Sequence, residues 1–390
     1  MFGNKNLSLL VVSQVFGFTA ATVTVFISGI IGSQLSPVKT LSTLPTSIYV
    51  IGTAAATMFA AKIMSLIGRR LGFVFASIVG SCVCLTAAYS IMMENFYVFC
   101  LSNFFLGASM AFNHQYRFAA AESVTLEKAP KAISTLLLAG IVAAFLGITL
   151  ANYTKNFVDG YLYAGSYLAL ATLTIMPAFL LFFLEEKKEF NKNANIKNKT
   201  RGYFELLSKP RFLQAITSAA FAYAVMSFLM TATPISMHVM EKMSLSKTGM
   251  VIQFHVASMF LPSLVTGYLI KKIGHSYVIY IGIFFYSITS FISIFDQTFF
   301  NYLFALIFLG IGWNFLFISG TSLLVLTYEE KEKYKAQGLN DFIVYSVHAL
   351  GSLSAGVFIV LTSWKAMNLI CIPFMILIIL ASIRADISNK

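Results

Sequence analysis

One arginine stands inside a long apolar stretch, where a charge needs a specific environment. The segment Asn113–Arg117 comes after several helical turns of mostly apolar sequence. A charge at membrane depth is costly unless it faces a protein interior or a watery cavity. Asn113 and His114 precede Arg117 by four and three positions, so the three side chains share one face of a helix. This face predicts a polar cavity that binds the anionic or polar part of a small solute.

A second polar stripe lies near the end of the chain, in another apolar run. Asp341, Tyr345, His348 and Ser352 are spaced as i, i+4, i+7 and i+11, which places them on one helix face. An imidazole titrates close to neutral pH, so a histidine at this depth is a candidate proton carrier. We predict proton coupling through His348 and Asp341, with His255 as a further candidate. A histidine bonded to a neighbouring backbone or hydroxyl group is the alternative.

Further candidates for substrate contact lie in the middle of other apolar runs. Trp313 and Asn314 fall mid-run, whereas tryptophan in membrane proteins is usually found at the interface. Trp313 could offer a stacking face to a planar ligand, and helix packing is the alternative. Gln14 and Tyr345 are predicted contacts by position.

The composition identifies the elements that must hold these residues. The chain has 390 residues, of which 58% are hydrophobic and only 11% are charged, against about 25% charged in soluble proteins. Apolar runs of membrane-spanning length recur throughout the chain. We predict an all-α membrane protein with twelve spans, near 7–33, 43–66, 71–93, 96–121, 131–154, 161–184, 211–238, 246–270, 276–295, 299–327, 335–362 and 365–384.

The basic residues set an orientation and argue against a nucleic-acid partner. The net charge is +12, but the lysines and arginines lie in short segments between apolar runs rather than on one soluble face. Most fall on the same predicted side, which the positive-inside rule makes cytoplasmic together with both termini. The expected surroundings are the lipid bilayer of a bacterial inner membrane.

The cysteines and the remaining polar groups predict no cofactor, metal or enzymatic activity. Cys82, Cys84, Cys100 and Cys371 lie in or beside apolar runs, without the spacing of metal ligands or of a disulfide framework. No nucleophile–base pair stands out. We expect a monomer that is not an enzyme and whose partner is a small-molecule solute.

The chain reads as two similar halves. A basic, polar segment at 187–209 predicts a cytoplasmic linker between six-helix bundles at 1–186 and 210–390. Ala61 and Gly68 correspond to Gly267 and Gly274. The offset is about 206 residues; Phe105-Leu106-Gly107 and Lys131-Ala132 recur at offsets of about 203 and 204. Such repeats place a transporter's site at midplane between the halves.

At these residues the sequence resembles the major facilitator superfamily of secondary transporters, over essentially the whole chain. The family loop between helices two and three reads G-x-x-x-D-R-x-G-R-[KR], and its end is kept as Gly68-Arg69-Arg70, while Ser65 replaces the acid. The second copy contains Lys271 and Lys272. The resemblance implies two pseudo-symmetric six-helix bundles and a cytoplasmic gate. In that gate an arginine pairs with the acid ending helix four, here Glu122.

These observations together predict a secondary active transporter. It would move a small anionic, zwitterionic or polar-aromatic solute by alternating access, with protons as the candidate coupling ion. A multidrug exporter and a riboflavin-like vitamin transporter are alternatives, since some proteins resembling this chain carry riboflavin. A transport-inactive membrane sensor is the alternative from another class.

Overall fold

The computed structural model describes residues 4–38, 41, 44–186 and 201–388. The described ranges are helical, with no β-strand among them. Most of the predicted linker, residues 187–200, lies outside the described residues. The α-helices are α1 Lys5–Leu35, α2 Leu44–Met92, α3 Phe96–His114, α4 Tyr116–Glu122, α5 Ala129–Thr154, α6 Ala164–Leu181, α7 Tyr203–Ser208, α8 Pro210–Pro234, α9 Leu245–Phe260, α10 Ser263–Ile273, α11 His275–Ile292, α12 Phe299–Val325, α13 Lys333–Leu361, α14 Trp364–Ile370 and α15 Ile372–Ile387.

The expected spans are found in the described part of the chain. There, 11 helical segments are long and apolar enough to cross a membrane. One of them, Leu44–Met92, has 49 residues and contains the non-helical Gly68. It therefore accounts for two predicted spans, which are joined by an abrupt bend rather than by the separate loop expected at 67–70.

Three predicted spans are each divided into two helices. The fourth breaks at Gln115, between α3 and α4, so Asn113 and His114 end one helix while Arg117 belongs to the next. The eighth breaks before α10 at Pro262, and the twelfth at Cys371, two residues before Pro373. Proline lacks an N–H and crowds the preceding turn, which explains the last two breaks.

The described helices form two compact units that each combine parts of both sequence halves. Unit 1 comprises Met1–Val124, Val142–Glu205 and Tyr328–Phe342, and unit 2 comprises Thr125–Ile141, Leu206–Thr327 and Ile343–Lys390. The exchanged segments, 125–141 and 328–342, follow the fourth and tenth spans. The first turns of α5 and α13 thus belong to a different unit from the remainder of each helix.

Each unit has an apolar interior made by close helix packing. In unit 1, Val23, Ile27 and Phe99 are among the buried residues contributed by α1, α2, α3 and α6. In unit 2, Tyr286 and Tyr302 are among the largest fully buried side chains. Many large apolar side chains are exposed, as expected for helices whose outer faces contact lipid.

Candidate functional site

The arginine of the family loop makes the ion pair that the resemblance implies. Arg69 is buried, and its Nε and Nη2 donate to the two carboxylate oxygens of Glu122 at 2.8 and 2.6 Å. Arg70 does not share this contact. Its guanidinium lies over the ring of Phe182, and its backbone N–H donates to Glu186. A fork-to-fork pair of this kind fixes orientation as well as charge.

The beginning of α13 completes the surroundings of this pair within unit 1. Gln337 accepts a hydrogen bond from Arg69 Nη2 at 2.6 Å and donates to Glu122 at 3.0 Å. Its amide nitrogen also lies 2.6 Å from the Tyr328 hydroxyl. The Arg69 guanidinium stands over the Tyr334 ring at 5.1 Å. Both charges are therefore hydrogen-bonded on several sides, as a buried pair requires.

A second ion pair joins α4 to α13. Arg117 Nη2 donates to Asp341 Oδ1, and the two side chains are 3% and 0% exposed. Arg117 Nη1 also donates to the His114 carbonyl at 3.0 Å, and its guanidinium lies over the Phe118 ring. Asp341 accepts a further bond from Asn340 at 2.9 Å. Asp341 is thus the counter-charge of Arg117 in this conformation.

Gln115 connects the two ion pairs. Its amide nitrogen donates to Asp341 Oδ2 at 2.6 Å, and its carbonyl oxygen lies 3.5 Å from Arg69 Nη1. A continuous chain of polar contacts therefore runs from Glu122 through Arg69 and Gln115 to Asp341 and Arg117. We call these five residues the polar chain. Gln115, which lies at the break between α3 and α4, is fully buried.

The sequence prediction missed Gln115, Gln337 and Asn340. Each is a buried amide side chain in unit 1. For Gln115 the available signal was a polar amide inside mostly apolar sequence, which is costly in a membrane without a partner. Local spacing could not supply the partner, since Gln115 and Asp341 are 226 residues apart.

The expectation that Arg117 faces an open cavity does not describe this conformation. Its guanidinium is enclosed by Asp341, His114 and Phe118, so contact with a solute would require the ion pair to open. The Asn113 amide lies against α1, where a methyl group added at Gly17 would come within 2.7 Å of its nitrogen. The His114 ring meets Phe18 edge-on at 5.6 Å. Gln14 is buried in α1.

The remaining predicted gate residues differ in their surroundings. Ser65 is exposed, and its hydroxyl donates to the Lys62 carbonyl of its own helix at 2.6 Å. The loop acid of the family therefore has no substitute at position 65. Lys271 and Lys272 are exposed at the end of α10, and neither makes an ion pair within the described ranges.

The segment after the undescribed residues is anchored to unit 1 by Arg201. Its backbone N–H and Nε donate to Glu332 Oε1 at 3.1 and 2.7 Å. These hydrogen bonds and the Glu332 charge raise the pKa of the Arg201 guanidinium. Glu332 is 1% exposed, so Arg201, which lies within the predicted linker 187–209, is held by a buried carboxylate just before α13.

Unit 2 contains a cluster of aromatic rings around Tyr223. The Tyr223 ring meets those of Trp313, Phe317, Tyr345 and His348 at centroid distances of 5.2, 5.0, 5.6 and 5.0 Å. Trp313 is 1% exposed, and Phe317 stacks on it with an interplanar angle of 18°. One indole face is therefore already occupied. We call these five residues the ring cluster.

Two ring nitrogens in the ring cluster lack partners. Trp313 Nε1 and His348 Nδ1 are buried without a hydrogen-bond partner among the described residues. An indole N–H can only donate, and a buried donor left unsatisfied costs about 1–3 kcal/mol. Trp313 Nε1 is therefore an atom of the ring cluster that could donate a hydrogen bond to a bound group.

Two other predicted residues of unit 2 make packing contacts. Asn314 donates to the Met259 carbonyl at 2.6 Å and to Ser263 at 2.7 Å, and accepts from Thr266 at 2.6 Å. Its amide is thus used to join α12 to α9 and α10. His255 Nδ1 lies 2.7 Å from the Leu306 carbonyl, which is the alternative considered from the sequence.

The polar stripe of α13 divides between two environments. Asp341 belongs to unit 1 and contacts Arg117, whereas Tyr345 and His348 belong to unit 2 and contact Tyr223. Ser352 lies 3.2 Å from Thr231.

Comparison with known proteins identifies the superfamily to which the chain belongs. The sequence profile of the Major Facilitator Superfamily matches residues 9–295 and 219–387. The chain belongs to this superfamily of membrane transporters, which confirms the predicted fold class.

Individual members of the superfamily are similar to this chain over nearly its whole length. The riboflavin transporter RfnT of Brucella anthropi is 33% identical over 375 residues, covering 96% of this chain and 94% of that protein. The uncharacterized transporter YdeG of Bacillus subtilis is 24% identical, covering 94% and 88%. Among solved structures, the human organic anion transporter MFSD10 aligns with a TM-score of 0.76 at 13% identity, covering 98% and 99%. At that identity the structural likeness shows the fold alone.

Proposed function

We propose that this chain is a secondary transporter of a bacterial inner membrane. It moves a planar, polar-aromatic solute by alternating access, and riboflavin is the first compound to test. The observation that carries the proposal is the ring cluster, with its buried Trp313 N–H for which the described residues provide no acceptor. The similarity to the riboflavin transporter RfnT over 96% of the chain supports the choice of compound.

The chemistry of the ring cluster fits a flat heteroaromatic ring that carries a carbonyl group. Aromatic side chains bind such rings by stacked or edge-to-face contacts, and the carbonyl oxygen would accept from Trp313 Nε1. Because Phe317 covers one indole face, the solute would meet the cluster from the side of Tyr223, which is buried, and His348, which is partly exposed. Binding then requires a small movement of these rings.

A multidrug exporter is the weaker alternative. Organic cations need a desolvated anion as a partner. Asp341 is already neutralised by Arg117 and hydrogen-bonded to Gln115 and Asn340. The Asp341 carboxylate therefore already has its partners within unit 1.

The remaining predicted roles are kept as part of the proposal. Gln14, Asn113, His114 and Arg117 are predicted contacts for polar parts of the solute. His348, Asp341 and His255 are predicted to take part in proton coupling. Gly68, Arg69, Arg70, Glu122, Lys271 and Lys272 are predicted to form the cytoplasmic gate.

Uptake of labelled riboflavin into proteoliposomes tests the substrate. Trp313→Phe keeps an aromatic ring and removes the N–H, so we expect KM to rise at least about fivefold, from the loss of about 1 kcal/mol of hydrogen bonding. Trp364→Phe is the matched control, because the Trp364 N–H already donates to Thr233 at 3.1 Å. Its KM should stay at the wild-type value.

The proposed substrate is wrong if the wild-type protein neither binds nor transports riboflavin. The proposed position is wrong if riboflavin is transported but Trp313→Phe and Trp364→Phe change KM equally. Thermal stabilisation of each purified variant by riboflavin provides a binding measurement that is independent of transport.

Proton coupling is tested by His348→Gln. We expect this variant to exchange riboflavin across the vesicle membrane but not to accumulate it when only a pH difference is imposed, because glutamine cannot carry a proton at neutral pH. Accumulation at the wild-type level by the variant would exclude His348 as the coupling group.

A further inference from the structure

We infer that Gln115 is a positioning residue that makes two ion pairs, one buried and one partly buried, act as one gate, and that Arg117–Asp341 supplies the charge missing from position 65. This inference rests on the proposed function, because a gate has meaning only in alternating access. It concerns the contacts of unit 1 and does not depend on which solute is carried.

The first step is the loss of charge at the family loop. Ser65 brings no charge, is exposed, and is hydrogen-bonded within its own helix. Direct packing remains between α2 and α13, since a methyl group at Gly338 would come within 2.8 Å of the Ala61 side chain. The helices therefore meet closely, but the loop provides no carboxylate to hold them together.

The second step is a nearby ion pair in which the acid is on α13 rather than on the loop. The acid, Asp341, is on α13 and the base, Arg117, is on α4. Breaking such a buried pair from one side leaves an uncompensated charge, which is strongly destabilising. Separation of α4 from α13 would require this pair to open and each charge to find water or another partner.

The third step is the position of Gln115 between the pairs. Its carbonyl oxygen faces the Arg69 guanidinium and its amide nitrogen donates to Asp341. A neutral amide suits both neighbours, since it accepts at one end and donates at the other. Glutamate at this position would repel Asp341, and an apolar residue would leave one oxygen of Asp341 without its partner.

The consequence is coupling between the two pairs. If Asp341 leaves Arg117, the Gln115 amide loses its acceptor and Arg69 loses a contact. The Arg69–Glu122 and Arg117–Asp341 pairs should therefore open together, and their substitutions should be non-additive, as expected for residues in one hydrogen-bond network.

Gate opening can be measured without any solute. Ala336 is fully buried in α13 beside Gln337, so a cysteine there reports opening through its rate of labelling by a maleimide. The protein is studied in lipid nanodiscs, with its native cysteines replaced. We expect Asp341→Asn and Gln115→Met each to raise the labelling rate of Ala336→Cys at least about tenfold.

The double variant distinguishes a positioning role from a general loss of stability. Gln115→Met combined with Asp341→Asn should label no faster than Asp341→Asn alone. Gln214→Met is the matched control: Gln214 is an equally buried glutamine of unit 2, bonded to Ser276 at 2.9 Å. It should leave the labelling rate unchanged.

Charge reversal keeps the test decisive if Asp341→Asn does not fold. Arg117→Asp should label fast, and Arg117→Asp with Asp341→Arg should return towards the wild-type rate. The inference is overturned if Gln115→Met labels like the wild-type protein, if its effect adds fully to that of Asp341→Asn, or if Gln214→Met has the same effect. Failure of riboflavin transport alone would leave these labelling rates unaffected.

Discussion

The same backbone turn occurs once in each unit, with a different arrangement of charges beside it. Gly68 has φ 85° and ψ 165°, and Gly274 has φ 88° and ψ 165°. The two glycines are about 206 positions apart, as the sequence repeat predicts. This region of φ and ψ is essentially restricted to glycine, so the repeat has kept a demanding backbone conformation.

The residues that follow these glycines differ. Arg69 is buried in unit 1 and paired with Glu122, whereas its counterpart in unit 2 is His275, for which no carboxylate partner is found in the described ranges. The ion pair beside the turn of unit 2 is Arg211–Asp386, whose side chains are 33% and 34% exposed and both hydrogen-bond the Ser276 hydroxyl. The turn thus has the same backbone conformation in both units, while the side chains of the ion pair beside it are less exposed in unit 1, at 6% and 24%, than in unit 2.

The largest expected difference between the two regions is at the first position after each glycine. Arg69→Gln leaves Glu122 without its main partner and should lower the free energy of unfolding by about 3 kcal/mol. His275→Gln should change it by about 1 kcal/mol or less. Thermal unfolding of both purified variants makes the comparison. Equal destabilisation by Arg69→Gln and His275→Gln would show that the Arg69–Glu122 pair adds no stability to the shared turn.

A smaller and nearly equal effect is expected at the glycines themselves. Gly68→Ala and Gly274→Ala should each cost about 1–3 kcal/mol, because alanine is strained in this backbone conformation. An added methyl group meets no atom within 4 Å at Gly274, and at Gly68 it meets the flexible end of Glu186. The free energies of unfolding of the two glycine variants should therefore differ from each other by less than those of Arg69→Gln and His275→Gln do. A large loss at one glycine only would contradict a common turn.

The smallest effect is expected at the altered position of the family loop. Ser65→Ala removes one hydrogen bond to its own helix from an exposed side chain, so the free energy of unfolding should change within about 0.5 kcal/mol. The maleimide labelling rate of Ala336→Cys should also stay at the wild-type value. An increase in that rate would show that Ser65 still contributes to the gate and would weaken the role given to Arg117–Asp341.

Several parts of the candidate site could be predicted from the sequence. The unusual depth of Arg117, the isolated Asp341 and the Gly68-Arg69-Arg70 segment each mark a place where apolar sequence is interrupted. The interruption is visible because charge is costly in a membrane. The partner of each residue was less accessible: Arg117 was predicted to contact a solute and Asp341 to take part in proton coupling, and local spacing did not predict that the two form an ion pair.

The amino-acid sequence by itself determined the class of protein, the spans and the repeat, because each follows from local properties. The length of an apolar run fixes whether a helix can cross a bilayer, and a repeated glycine predicts a repeated turn. Only the tertiary structure decided which charges pair. Arg117 and Asp341 are separated by 224 residues, and they meet because the beginning of α13 packs within unit 1. A buried charge requires a partner, but helical periodicity relates only residues a few positions apart, so the identity of a distant partner depends on how the helices pack.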